Sequence, residues 1–161
     1  MPAFSTTRDV PFTVRQMYDL VADVERYPEF LPLCEALAVT GRERSEGREV
    51  LTARMSVGYG AIRESFTSRV TLDPATPGVF ADYVDGPFRH MENRWHFTER
   101  PGGCTVHFAI SYEFKSVLLQ MLAGAVFEQA FRRFAEAFEN RARQVYGAPP
   151  EGQGAAAPSH S

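Results

Sequence analysis

Hydrophobic and polar positions alternate most cleanly over residues 104–114, where Cys104, Val106, Phe108, Ile110, Tyr112 and Phe114 share one face and Thr105, His107, Ser111 and Glu113 the other. A period of two is that of a strand with one buried face. Upstream, from Ala36 onward, β-like runs are separated by turn residues at 41–47, 58–60, 73–78, 85–87 and 101–103, which predicts five or six strands in an antiparallel meander. A further strand is expected over Phe4–Val10, ended by Pro11 and followed by a helix over Thr13–Val21. Between that helix and the meander lies Asp23–Cys34, DVERYPEFLPLC, an apolar elbow. Its Pro28 and Pro32 forbid one long helix and allow a short helical turn between them.

The period changes after Ser116, which can cap a helix predicted to run to about Tyr146, with Gly147, Pro149 and Pro150 as its stop signal. In its second half Phe127, Phe131, Phe134, Phe138 and Val145 form one stripe, opposite Glu128, Arg132, Glu136, Glu139 and Arg143. The earlier part, Val117–Phe127, is apolar on nearly every side and has to be covered by the elbow, by a second copy of the chain, or by lipid. Gly124 weakens this stretch by up to about 1 kcal/mol relative to Ala, which makes it a candidate gate. These elements predict an α+β domain over residues 1–147, a curved antiparallel sheet wrapped around a long C-terminal helix with two short helices after the first strand. In such a helix-grip arrangement the space between sheet and helix is either filled or left open as a ligand cavity. The small, Pro- and Gly-rich residues 148–161 are expected to form a disordered tail.

A chain of 161 residues that is 44% hydrophobic can bury one sizeable core. Its net charge of −3 argues against the broadly basic surface that binds DNA. Cys34 and Cys104 lie far apart in the sequence and read as free thiols in a reducing compartment. The stretch MPAFSTTRDV has neither the apolar core of a signal peptide nor the pattern of a transit peptide, and no run is long enough to cross a bilayer. The expected location is the bacterial cytoplasm, with peripheral contact at the inner membrane. His90 and His96 share the outer face of one strand and, like His107, have no carboxylates clustered at ligand spacing, so no metal site is expected. No G-x-S-x-G elbow, P-loop or dinucleotide fingerprint occurs, so no catalytic residue is assigned and the chain is not expected to be an enzyme.

Five ordered segments carry a resemblance: YPEFLPLC (Tyr27–Cys34), ESFTSRV (Glu64–Val70), DGPFRHMENRWHF (Asp85–Phe97), YEFKSVLL (Tyr112–Leu119) and FENRARQVYG (Phe138–Gly147). The chain resembles, over Phe4–Gly147, the ubiquinone-binding Coq10 proteins and their bacterial relatives called RatA ribosome-association toxins. These belong to the START-like superfamily, with its Bet v 1-like folds and polyketide cyclases. Leu33 departs from the pattern, since many relatives carry an aromatic residue before the cysteine of the elbow. The resemblance implies a lipid chaperone that supports respiration, with ubiquinone or another polyprenyl lipid as bound ligand and no cofactor. It equally implies an alternative, a ribosome-directed regulator that blocks subunit association. Arg42, Arg44, Arg48 and Arg54 are the candidate patch for that role, although Glu43, Glu46 and Glu49 interleave with them. A cyclase-like enzyme using Glu64 is a distant third reading.

Alternation and resemblance together nominate Leu51, Met55, Val57, Phe66, Met91, Trp95, Phe97, Phe127 and Phe131 as the cavity wall. Ser68, Asn93 and the hydroxyl of Tyr59 are nominated to donate hydrogen bonds to the quinone carbonyls. A β-bulge at Gly58 or Gly60 would reverse the register and turn Glu64 into water. Arg141 is expected either to snorkel along apolar surface or to pair with Glu64. The cavity mouth, doubling as membrane contact, is placed between Tyr27, Phe30, Leu31 and Leu33 of the elbow and Leu118, Met121, Leu122 and Ala125 of the helix.

Overall fold

The computed structural model describes residues 3–147. The tail expected over 148–161 lies outside the described residues. Strand β1 (Ala3–Val10) leads through Pro11 into helix α1 (Val14–Ala22), then a 3₁₀ turn (Val24–Glu29). Six strands follow in hairpin succession, β2 (Cys34–Ser45), β3 (Arg48–Tyr59), β4 (Ile62–Asp73), β5 (Gly78–Asp85), β6 (Phe88–Arg100) and β7 (Gly103–Phe114). Helices α2 (Val117–Arg132) and α3 (Phe134–Tyr146) close the fold. The seven strands form one curved antiparallel sheet in the order β1-β7-β6-β5-β4-β3-β2. α1 and the elbow therefore carry the chain from one edge of the sheet to the other.

Local chemistry explains the helix starts. The Thr13 hydroxyl accepts from Gln16 N–H at 3.0 Å while Thr13 N–H donates to the Gln16 side chain at 2.9 Å, a capping box that satisfies two otherwise orphaned donors. Ser116 accepts from Leu119 N–H at 3.1 Å and starts α2 as expected. α1 buries Met17, Tyr18 and Val21 against the sheet.

Two expected helical features differ. The elbow's helical turn, Val24–Glu29, contains Pro28 rather than lying between Pro28 and Pro32. Both Phe30 and Leu31 N–H groups donate to Tyr27 C=O, and Leu33 takes a left-handed φ of 68° that swings the chain into β2. The C-terminal helix is broken at Arg133, whose N–H donates to Ala130 C=O in a 3₁₀-type bond before α3 resumes. Neither Gly nor Pro marks this break in the sequence.

The bulges also differ from expectation. β3 and β4 pair without a shift through Gly58↔Arg63 and Tyr59↔Ile62, so Glu64 stays on the face of Phe66 and Ser68. Shifts occur instead in β2, at Thr67/Ser68 between β4 and β5, and at Phe88/His90 between β6 and β7. The last lets both Phe88 and Met91 face inward although they are three residues apart. The turn before β6 packs on the sheet through Gly86, where φ is +145° and a Cβ would lie 2.9 Å from the Phe66 Cα.

Candidate functional site

The sheet's concave face has a filled end and an open end. At the filled end, under α1 and α3, Trp95 lies 4.6 Å from Phe108 and 4.8 Å from Phe138 between ring centroids, and Tyr18 stands edge-on to Phe97. At the open end, between β2–β7, the elbow and the α2–α3 junction, lies a cavity of about 100 Å³. Side-chain size creates it. Ala53 pairs with Ser68 across β3 and β4, Ala81 pairs with both Val70 and Asn93, and Ala130 faces them from α2. Small residues opposite one another leave space that close packing elsewhere removes.

Nine of the twelve residues nominated for ligand contact line this cavity: Met55, Val57, Phe66, Ser68, Met91, Asn93, Trp95, Phe127 and Phe131. The other three do not. Leu51 and Phe97 point inward but do not reach the cavity, each only 1% exposed, as ordinary core. Tyr59 sits at the tip of the β3–β4 hairpin, 54% exposed, and contributes nothing to the interior. Alternation identifies a face, and it carries no information on depth along that face.

The proposed mouth divides in the same way. Tyr27 and Leu33 line the cavity, and the Tyr27 hydroxyl is held by donating to Val21 C=O, with burial raising its pKa. Leu31 is buried in the core. Phe30 packs edge-on against Phe138 at 4.9 Å and lies under the Arg141 guanidinium, 5.1 Å from its ring centroid, away from the cavity. Leu118, Met121, Leu122 and Ala125 form the outer face of α2 and do not line the cavity, because its other face, with Ala123 and Phe127, is the buried one. Leu118, Met121 and Leu122 are 61–75% exposed, and Val117 beside them is 77% exposed. Arg141 bonds to Glu29 rather than Glu64.

Several lining residues escaped the sequence reading, among them Leu37, Val79, Ala81, Phe88, Ala130 and Phe134. Phe134 was on the helix stripe and Phe88 within a quoted segment, yet the break at Arg133 and the bulge at Arg89 decided that both reach the cavity. Ala81 and Ala130 carry no signal, since a site made by absent bulk is invisible in a hydrophobicity pattern.

The wall is almost entirely apolar. Among the described lining residues only Tyr27, Ser68, Asn93 and the Trp95 indole carry polar side-chain atoms. Asn93 donates through its Nδ2 to Ala109 C=O at 2.9 Å. Ser68, 7% exposed, and the indole of Trp95, 2% exposed, have no hydrogen-bond partner among the described residues. Buried polar groups are nearly always paired with protein or ordered water, so these are free to bond water or a ligand within the cavity. Chemistry by a side-chain nucleophile finds little to work with, since burial pushes the Cys34 and Cys104 thiols up to about 11 and keeps them protonated near neutral pH. Among the described residues no group of His, Cys, Asp and Glu is arranged to hold a metal ion, and His90, His96 and His107 are engaged with Ser111, with each other's rings and with Thr98.

Two of the four arginines of the basic patch are ion-paired. Arg42 bonds to Glu25 and Glu49, and Arg48 to Asp73. No helix among the described residues is long and apolar enough to cross a membrane.

The comparisons with known proteins agree with this geometry. The Caulobacter crescentus 18 kDa protein, solved in solution, superposes with a TM-score of 0.77 at 30% identity, covering 92% of this chain and 100% of that one. An aromatase/cyclase, Zhui of Streptomyces sp. R1128, shares the fold with a TM-score of 0.74 at 19% identity, covering 89% of this chain and 95% of that one. The Escherichia coli K12 protein named ribosome association toxin RatA is 35% identical over 92% of this chain and 91% of its own. The mitochondrial coenzyme Q-binding protein COQ10 homolog B of Xenopus laevis is 34% identical over 89% of this chain and 59% of its own. With residues 10–139 matching the family described as polyketide cyclase / dehydrase and lipid transport, and with RatA and COQ10 proteins as its relatives, the chain belongs to that family.

Proposed function

We propose that this protein is a non-enzymatic carrier of a polyprenyl quinone, ubiquinone in the simplest case, serving respiratory electron transport. The observation that carries the reading is the apolar cavity with unpartnered polar atoms buried in its wall. An isoprenoid tail gains about 25 cal/mol for each Å² of apolar surface it buries there, and the few polar atoms orient the ring. The relative named for coenzyme Q binding supports the choice of ligand. At about 100 Å³ the cavity is smaller than the roughly 300–1,000 Å³ of pockets that enclose whole ligands. Loading a ring and part of a tail therefore displaces α2 or the elbow outward. The exposed apolar face of α2 gives that movement a purpose, because contact with a membrane shields an insoluble tail during transfer.

The test is to purify the protein without detergent from a quinone-containing bacterium and examine its organic extract by mass spectrometry. A stoichiometric polyprenyl quinone is expected, and repeated absence of any polyprenyl lipid sinks the reading. The RatA relatives favour a second reading, a regulator of ribosomal subunit association. The ion-paired state of Arg42 and Arg48 weakens it, since paired arginines attract phosphate poorly. Sucrose gradients with added protein decide it: an unchanged ratio of joined to separate subunits removes this role.

A further inference from the structure

The polar atoms of the cavity are not interchangeable, and their hydrogen-bond state selects among head groups. The Ser68 hydroxyl and the Trp95 indole N–H are donors without partners in the described structure. Asn93 is different. Its amide nitrogen faces the Ala109 carbonyl oxygen at 2.9 Å, which fixes the amide orientation, because the flipped amide would set oxygen against oxygen. The atom left over is Oδ1, an acceptor. The second N–H of the amide can also meet a ligand, yet Oδ1 still needs a donor whatever that N–H does.

Ser68 and Asn93 stand two strands apart and offset by two residues along the sheet, since Ser68 pairs with Tyr83 and Asn93 with Ala81. At ordinary strand spacings this is about 12 Å between Cα positions, too far for both side chains to meet one atom and suited to the two ends of a ring. A quinone presents only acceptors, so it meets Ser68 and leaves Asn93 Oδ1 unpaired. A hydroquinone carries two hydroxyls, each of which donates and accepts, so it meets both groups.

We infer that the cavity selects a head group bearing a hydroxyl donor, and that it holds the hydroquinone form of its ligand in preference to the quinone. This rests on the carrier reading above. No electron transfer by the protein is involved, and the selection is made by hydrogen bonding alone.

The experiment is anaerobic equilibrium dialysis of the full chain with three short-tailed probes: a benzoquinone, its dithionite-reduced hydroquinone, and the same ring with both hydroxyls methylated. The dimethyl ether keeps the ring and both oxygens, adds two methyl groups and removes the donors without any redox change, so its tight binding is the informative outcome. The hydroquinone is expected to bind about tenfold more tightly than either of the others, the order of magnitude for one acceptor of the cavity wall left unpaired. Asn93→Leu should remove that ratio, whereas Ser68→Ala should weaken quinone and hydroquinone by similar factors. Thermal melts accompany both variants, and the wild-type ratio decides the matter even if Asn93→Leu does not fold. Equal or tighter binding of the quinone overturns the selection and leaves the carrier reading standing. Tight binding of the dimethyl ether overturns it as well. Binding of none of the three overturns both.

Discussion

The two ends of the concave face are built from the same strands, yet one is filled and the other is hollow. At the filled end Trp95, Phe97, Phe108 and Phe138 interlock beneath α1 and α3, all 2% exposed or less. At the hollow end Ala53, Ser68, Ala81 and Ala130 confront one another, and the larger Met55, Val57 and Phe66 remain partly accessible. The difference teaches where stability and function reside. The first end supplies dispersion and burial that hold the sheet to its helices, while the second leaves space that only a ligand would fill.

The largest expected effect lies at the filled end. Phe108→Ala should cost about 3–5 kcal/mol in urea unfolding because its aromatic neighbours cannot collapse into the gap. Phe66→Ala at the hollow end should cost clearly less, about 1–2 kcal/mol, since that ring is partly exposed on the cavity and stands edge-on to Phe88 at 5.4 Å. Equal losses would mean that the hollow end is core like the other.

Filling the hollow sharpens the contrast in the opposite direction. Ala81→Leu should leave stability within about 1 kcal/mol of wild type, as added methylenes occupy open space instead of straining a packed core. Lipid recovered with the purified protein should fall about tenfold or more. A strongly destabilised Ala81→Leu protein would show that the space is not available to a side chain.

Leu122→Glu addresses the face that neither end covers. With Leu122 61% exposed, its melt should shift by no more than about 0.5 kcal/mol, while sedimentation with phospholipid vesicles should drop several-fold. Unfolding of this variant would place α2 in the core and remove it as a membrane contact.

The smallest expected effect is a pH dependence. The Asp73 carboxylate accepts from the Thr76 hydroxyl at 2.6 Å, from the Thr76 and Ala75 N–H groups, and pairs with Arg48. The Thr76 hydroxyl bond is the main cause that holds its pKa below the usual carboxylate range. A depressed folded-state pKa contributes stability that is present above the unfolded value, about 3.9, and is lost as pH falls through the folded one. Asp73→Asn should therefore flatten the acid limb of stability measured between about pH 5 and 3, while ligand retention at the hollow end stays unchanged.

The sequence by itself determined the faces. Strict alternation over 104–114 put Val106, Phe108 and Ile110 inside, and the aromatic stripe turned Phe127, Phe131, Phe134 and Phe138 toward the sheet, because side-chain direction follows from the backbone period alone. It also determined the caps at Thr13 and Ser116, whose hydroxyls act on donors within one turn. Tertiary structure decided depth. Leu51 and Met55 share a face of β3, yet Leu51 is fully packed while Met55 lies on a cavity, a distinction made by contacts between elements distant in the chain. It decided the bulge at Arg89 and the helix break at Arg133 as well, the latter with no Gly or Pro nearby, and in both places the aromatic contacts of Phe88 and Phe134 reward the irregular backbone. A cavity depends on which small side chains meet across strands and helices, and that meeting exists only once the sheet has curved around its helix.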